Sequence, residues 1–164
     1  MEIPARFIIH ESKHWTINHR IDTALPGYLM LSAKQMTCSL AALPAEALAE
    51  LGVWQAKIQQ HIEAHLQPKR LYIGRFGHGS GYSIHFHFIA IYAWVEAMFW
   101  RDERYRLLET FGSLDSTPPQ TDGAELTLFV WREFCERPTP PPVQGPSIEN
   151  VITLLRSEFA GPYS

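Results

Sequence analysis

Residues 75–92 read R-F-G-H-G-S-G-Y-S-I-H-F-H-F-I-A-I-Y, from Arg75 to Tyr92. A glycine-rich loop, Gly77-His78-Gly79-Ser80-Gly81, runs into a segment where Ser83, His85 and His87 alternate with Ile84, Phe86 and Phe88. Period two is the spacing of a strand, so the serine and both histidines go to one face and the apolar residues to the other. Residues i and i+2 are neighbours on such a face. His85 and His87 therefore form a local imidazole pair beside a flexible loop, a combination suited to chemistry.

Upstream, Arg6 to His10 and His14 to His19 are expected to be strands joined at Glu11-Ser12-Lys13. The span His10-Glu11-Ser12-Lys13-His14 satisfies H-E-x-x-H. That motif binds zinc only on a helix, where i, i+4 spacing aims both imidazoles at one ion. Its flanks, Phe7-Ile8-Ile9 and Trp15-Thr16-Ile17, favour strands, and in a hairpin the two histidines straddle a turn. Asp22 to Gly27 is a connection ending in Pro-Gly, and Tyr28 to Ser32 a further strand. Pro44 to Leu66 is the clearest helix, with Pro44 in its first turn and a stripe of Leu48, Leu51, Ile58, Ile62 and Leu66. His61 and His65 lie four apart on it, but the sequence sets no acidic or Cys partner near them, and a solvated face is expected. Leu71 to Phe76 is the strand that precedes the loop.

Downstream, Trp94 to Phe111 is expected to be an amphipathic helix and Thr117-Pro118-Pro119 a loop. Ala124 to Glu136 is read as helical, although L-T-L-F-V-W also suits a strand. Pro138 to Pro146 is an extended connector. Ser147 caps a last helix, Ile148 to Phe159, with Gly161-Pro162 beyond its end.

Composition narrows the function. The 164 residues fit one compact domain, and 46% hydrophobic against 19% charged residues supplies a core rather than disorder. A net charge of -3 argues against bulk nucleic-acid binding, though not against a small phosphorylated ligand. Cys38 and Cys135 lack metal-type spacing and read as reduced thiols. No signal peptide is apparent, and the most apolar window, Ile84 to Phe99, is too short and too polar to span a membrane. A cytoplasmic protein without nucleic-acid or membrane partners is expected.

The order hairpin, strand, helix, strand, glycine-rich loop and histidine-bearing strand resembles the histidine triad (HIT) superfamily of nucleotide hydrolases and transferases. The family motif His-φ-His-φ-His-φ-φ corresponds to Ser83-Ile84-His85-Phe86-His87-Phe88-Ile89. Glu2 to Ile9, Ile17 to Arg20 and Pro26 to Leu31 also resemble the family's opening, and the likeness covers about residues 1–93. It implies an α+β, HIT-like fold: an antiparallel five-stranded sheet with a packed helix, as a nucleotide-binding domain over 1–93. Residues 94–164 would be a mainly helical extension packed on the same domain. His85 takes the position of the nucleophile that forms a nucleotidyl-imidazole, a role suited to neutral imidazole. His87 would hydrogen-bond the phosphate or leaving group, and Ser80 would contact the leaving-group side. The loop from Gly79 through Gly81 would hold phosphate oxygens on backbone N–H groups. Asn18, or Asp22 if the register slips, resembles the ribose ligand. The implied partner is a purine-nucleotide-type small molecule, the implied assembly a homodimer. No metal or other cofactor is required, although Mg²⁺ would accompany a polyphosphate substrate.

This chain departs from the motif twice. Ser83 stands for the first triad histidine, and Tyr28 for the histidine of the family's G-H-x-L-V stretch. The paired replacement is expected to swap an imidazole relay for a hydroxyl hydrogen bond between Tyr28 and Ser83. Two further classes compete with an enzyme of this type. One is a nucleotide-binding module without turnover; the other is a metal site on His85, His87 and His78, for which no acidic or Cys ligand is placed. Ser80 as a hydrolase nucleophile is weaker still, because G-x-S-x-G is not matched.

Overall fold

The structure, a computed structural model, describes residues 3–76, 79, 81–105 and 123–161. The strands are β1 (Ile8–Glu11), β2 (Trp15–His19), β3 (Leu29–Ala33), β4 (Arg70–Gly74) and β5 (His85–Ile91). They form one five-stranded sheet in the order β1-β2-β3-β5-β4, with every neighbouring pair antiparallel. The helices are α1 (Ala45–Leu66), α2 (Ala93–Arg101), α3 (Ala124–Val130) and α4 (Ile148–Phe159). The fold is α+β, as the alternation and the helix patterning predict.

Alternation along the strands divides the interior. Trp15, Ile17, Leu29, Leu31, Phe88 and Ala90 point to one face and are buried with Ile58 and Ile62 of α1 and Val151, Leu155 and Phe159 of α4. On the other face, Ile89 and Ile91 are buried with Tyr28, Val95 and Phe99 of α2, and Leu126 and Phe129 of α3. The C-terminal residues therefore cover both faces of the sheet.

The helices depart from their sequence readings in places. The buried stripe of α1 is Ala47, Trp54, Ile58 and Ile62, whereas Leu48 is 41% exposed. Trp54 fills the position one turn before Ile58, which turns Leu48 towards solvent. The indole of Trp15 donates to the Ala47 carbonyl at 2.9 Å and so ties β2 to α1. The helix expected over 94–111 ends at Arg101, where Asp102 turns extended and its carboxylate accepts from the Arg104 N–H at 3.0 Å. Residues 106–111 and Thr117-Pro118-Pro119 lie outside the described residues. Ala124 to Glu136 is helical throughout, with α3 passing into a π-helical turn at Trp131–Glu136. Ser147 caps α4 as read, its Oγ accepting from the Asn150 N–H at 3.1 Å.

The H-E-x-x-H span lies in the β1–β2 hairpin, with Glu11 opposite Thr16. The His10 ring packs 4.9 Å from Trp54, while the His14 ring faces Glu50 at 3.9 Å. Among the described residues, no helix is long and apolar enough to cross a membrane.

Gly27 closes the turn into β3. Its φ is +79°, and a Cβ there would lie 2.7 Å from both Leu66 Cδ1 and Tyr92 Oη. Its N–H donates to His19 Nε2 at 3.2 Å, and His19 is fully buried. Gly27→Ala meets both the left-handed backbone and the steric contact. It is expected to lower stability by about 1–3 kcal/mol, read as a lower urea midpoint at an unchanged slope.

Candidate active site

Phe86 and Phe88 turn to the α1 face, which leaves His85 and His87 on the opposite face of β5. Strand register extends that row across the sheet: Ser32 is opposite His85 and Met30 opposite His87, and Thr16 and Asn18 on β2 continue the two lines. The two rings stand 5.1 Å apart, centroid to centroid, at 63°. His85 is half-buried at the rim and His87 is 7% exposed beneath it.

The hydrogen bonds fix a tautomer for each ring. His85 Nδ1 lies 2.8 Å from the Ser83 carbonyl oxygen. A carbonyl only accepts, so Nδ1 carries the proton, and in the neutral ring Nε2 keeps its lone pair. His87 is set the other way, through a chain that begins at Asp22. Asp22 accepts from Arg20 through both oxygens, at 2.5 Å from Nε and 3.0 Å from Nη2. Arg20 Nη1 then donates to the Tyr28 hydroxyl oxygen at 2.9 Å. A guanidinium cannot accept, so the single phenolic proton is left for His87 Nδ1, 3.0 Å away. His87 accepts at Nδ1 and carries its proton on Nε2.

Electrostatics agree with that assignment. Burial, with the neighbouring charges of His85 and Arg20, lowers the His87 pKa from 6.5 to about 4. Burial pushes the Tyr28 phenol up to about 12, so it remains a proton donor. The bond from Arg20 holds the Asp22 carboxyl below its ordinary range. His87 Nε2 is buried without a well-formed hydrogen bond among the described residues, although the Phe76 backbone interacts with the ring and favours its protonated form. A buried N–H in that state costs stability unless a ligand accepts from it. Two adjacent rings thus offer one lone pair and one donor.

The other residues singled out from sequence fall around this pair. Ser83 contributes its backbone carbonyl to His85, and Tyr28 bonds His87. The expected Tyr28–Ser83 hydroxyl pair is therefore corrected to Tyr28–His87, because Tyr28, two residues before the Met30 that stands opposite His87, reaches that ring diagonally. Asp22 has both oxygens engaged by Arg20 and stands at the far end of the chain that orients His87. Asn18 is 4% exposed; its Nδ2 donates to the His19 carbonyl at 2.8 Å, and its buried Oδ1 has no partner among the described residues. Gly81 has φ +95°, a conformation side-chain-bearing residues rarely adopt, and the Tyr82 N–H points back at the Gly79 carbonyl at 3.4 Å. Gly77, His78 and Ser80 lie outside the described residues.

Arg20 escaped sequence reading. The signal was its spacing in R-I-D, Arg20 to Asp22, which marks a local ion pair but says nothing of a tyrosine in the next strand.

Comparison with known proteins agrees with the architecture. No family model and no curated protein matches the chain. Among solved structures, diadenosine triphosphate hydrolase of Plasmodium falciparum superposes with a TM-score of 0.56 at 12% identity, over 100% of this chain and 83% of that one. The histidine triad protein blr8122 of Bradyrhizobium japonicum gives a TM-score of 0.55 at 15% identity, over 95% of this chain and 96% of that one. The NitFhit protein of C. elegans gives 0.49 at 18% identity, and this chain, matched over 78% of its length, spans 27% of it.

Proposed function

We propose that this chain, which has the histidine triad fold, is a nucleotidyl hydrolase or transferase acting on an α-phosphate through His85. The observation that carries the reading is the pair of opposite tautomers at adjacent imidazoles. His85 Nε2 has the free lone pair that attacks phosphorus, and the bond to the leaving group breaks as the N–P bond forms. His87 Nε2–H donates to an oxygen where negative charge grows, inside a site that is already desolvated. The leaving group departs with the electron pair and takes its proton from solvent. Water or another acceptor then attacks phosphorus, and the N–P electron pair returns to His85.

The substrate class is a purine-nucleotide-type phosphoramidate, dinucleoside polyphosphate or nucleotidyl adduct. A fold neighbour is a diadenosine triphosphate hydrolase, which favours that class. Asn18 is assigned to a ribose hydroxyl, consistent with its open Oδ1. The loop N–H groups of Gly79 and Gly81 are assigned to phosphate oxygens, and Ser80 to the leaving-group side. No metal takes part in the covalent step, and Mg²⁺ enters only with a polyphosphate. The reading takes a cytoplasmic homodimer across the outer strand β4 and α1, where Ile73 and Val53 are 40% and 54% exposed.

The test is a trap of the intermediate. The protein is incubated with adenylated and guanylated substrates, quenched without acid and digested for mass spectrometry. A nucleotide-sized increment on the His85 peptide is expected. If no adduct forms and mononucleotides still raise the melting temperature, the chain is a binding module, a second reading favoured by Ser83 at the first motif position. With neither result, nucleotide chemistry is abandoned.

Tyr28 tests the tautomer argument separately. Tyr28→Phe removes the donor to His87 Nδ1 and frees that ring to take either tautomer. Turnover is expected to fall roughly tenfold, about what one hydrogen bond is worth, with KM little changed. A kcat equal to wild type would remove the relay from the mechanism.

A further inference from the structure

On the opposite side of the sheet from His85, α1 carries His61 and His65 one turn apart, with ring centroids 6.1 Å apart and the planes only 18° from parallel. Helical i, i+4 spacing places both imidazoles on one face, the arrangement absent from the β1–β2 hairpin. The acidic partner that the sequence leaves unplaced comes from α4. Glu158 Oε2 lies 3.3 Å from His65 Nε2. One ligand atom from each of His61, His65 and Glu158 lies within 4.8 Å of the others.

The supporting residues hold this geometry. Phe159 is 1% exposed in the core, so the next residue back along α4, Glu158, is delivered to the seam at a fixed height. The His61 ring packs on Phe159 at 4.6 Å. Arg156 fastens the same helix to the start of the chain, donating to the Ala5, Arg6 and Ile8 carbonyls at 2.8–3.0 Å.

We propose that His61, His65 and Glu158 form a zinc-type divalent metal site that clamps α4 to α1. Two imidazoles and a carboxylate are a borderline donor set that suits Zn²⁺, and Co²⁺ as its spectroscopic substitute, better than hard cations. Ligand atoms around a tetrahedral ion with bonds of about 2.0–2.2 Å sit roughly 3.3–3.5 Å apart. Rotamer adjustment of about an ångström draws the three together without moving either helix. The fourth position stays open to water. The ion joins two helices distant in sequence, and its binding adds to folding stability because the unfolded chain has no such site.

The test uses chelator-stripped full-length protein titrated with Co²⁺ and, separately, Zn²⁺. One Co²⁺ per chain with a tetrahedral-type visible absorption is expected, together with a higher melting temperature in Zn²⁺. Because His85 and His87 form a second imidazole pair, the titration is repeated in His85→Ala/His87→Ala, where band and stoichiometry should persist. In Glu158→Gln and His61→Gln, affinity should drop by more than the roughly 10–100-fold caused by losing a ligand's supporting hydrogen-bond partner. The Glu158 side chain is 36% exposed, so its amide variant should fold, and an unchanged metal-free melting temperature checks that. Absence of saturable one-to-one binding overturns the proposal. So does a band that survives Glu158→Gln or vanishes with the His85/His87 pair.

Discussion

His85→Ala is expected to lower turnover of a nucleotidyl substrate by about 10⁴-fold or more and to abolish the covalent adduct, the loss typical of removing a nucleophile rather than a helper. At about 1.36 kcal/mol per tenfold, that is more than 5 kcal/mol of transition-state stabilisation. The protein itself should remain folded, since His85 sits half-buried at the rim and its one hydrogen bond is to the Ser83 carbonyl. His87→Ala provides the contrast. If His87 only donates to developing charge, its loss should cost roughly 10²–10³-fold, and an adduct should still form slowly on His85. Added imidazole should recover part of the His85→Ala activity, because the vacated space lies at the rim where a free ring can enter. Retention of more than about a tenth of the rate by His85→Ala would sink the nucleophile assignment, whatever His87→Ala does. Equal losses in both variants, with no adduct in either, would move the attack to another group.

What could be read from the sequence divides along physical lines. Period-two alternation from Ser83 to Phe88 put the histidines on one face because strand geometry allows nothing else. The cap at Ser147 was equally legible, since it depends on neighbours within one turn. Pro44 and the apolar spacing marked α1, although Leu48 faces solvent because Trp54 defines the buried side. At the site, the failures concern partners supplied by another element. Tyr28 was paired with Ser83 because the resemblance sets both where the family motif has histidine, but Tyr28, two residues before Met30, reaches His87 diagonally instead. Arg20 was given no role from sequence, yet it links the Asp22 carboxylate to the Tyr28 hydroxyl. Glu158 lies at the end of a helix whose packing on α1 is written in no local pattern. Local rules thus found the paired rings; tertiary contacts decided which nitrogen of each bears the proton.

That proton has a measurable effect on stability. In the unfolded chain His87 titrates near 6.5, and in the folded protein burial and the neighbouring positive charges hold it at about 4. Between those values the unfolded state binds the extra proton, so falling pH favours unfolding. The contribution is fully present above pH 6.5 and is lost as the pH falls towards 4. Its size is roughly 3 kcal/mol at 1.36 kcal/mol per pH unit. His10, His19 and His61 are also lowered by burial and weaken the protein over the same side of neutrality. Asp22 and Glu96, held below their ordinary range, lose their contributions only at lower pH. The comparison must therefore be between wild type and His87→Gln, which keeps all of these and removes one. Urea unfolding at pH 7 and pH 4 should show wild type losing about 3 kcal/mol more than the variant across that interval. Equal losses would mean that His87 accepts a proton in the folded protein as readily as in the unfolded chain. That outcome would also undo the tautomer argument, because a doubly protonated ring directs Nδ1–H at a Tyr28 oxygen already accepting from Arg20. The phenol would then have to turn its own proton away from His87.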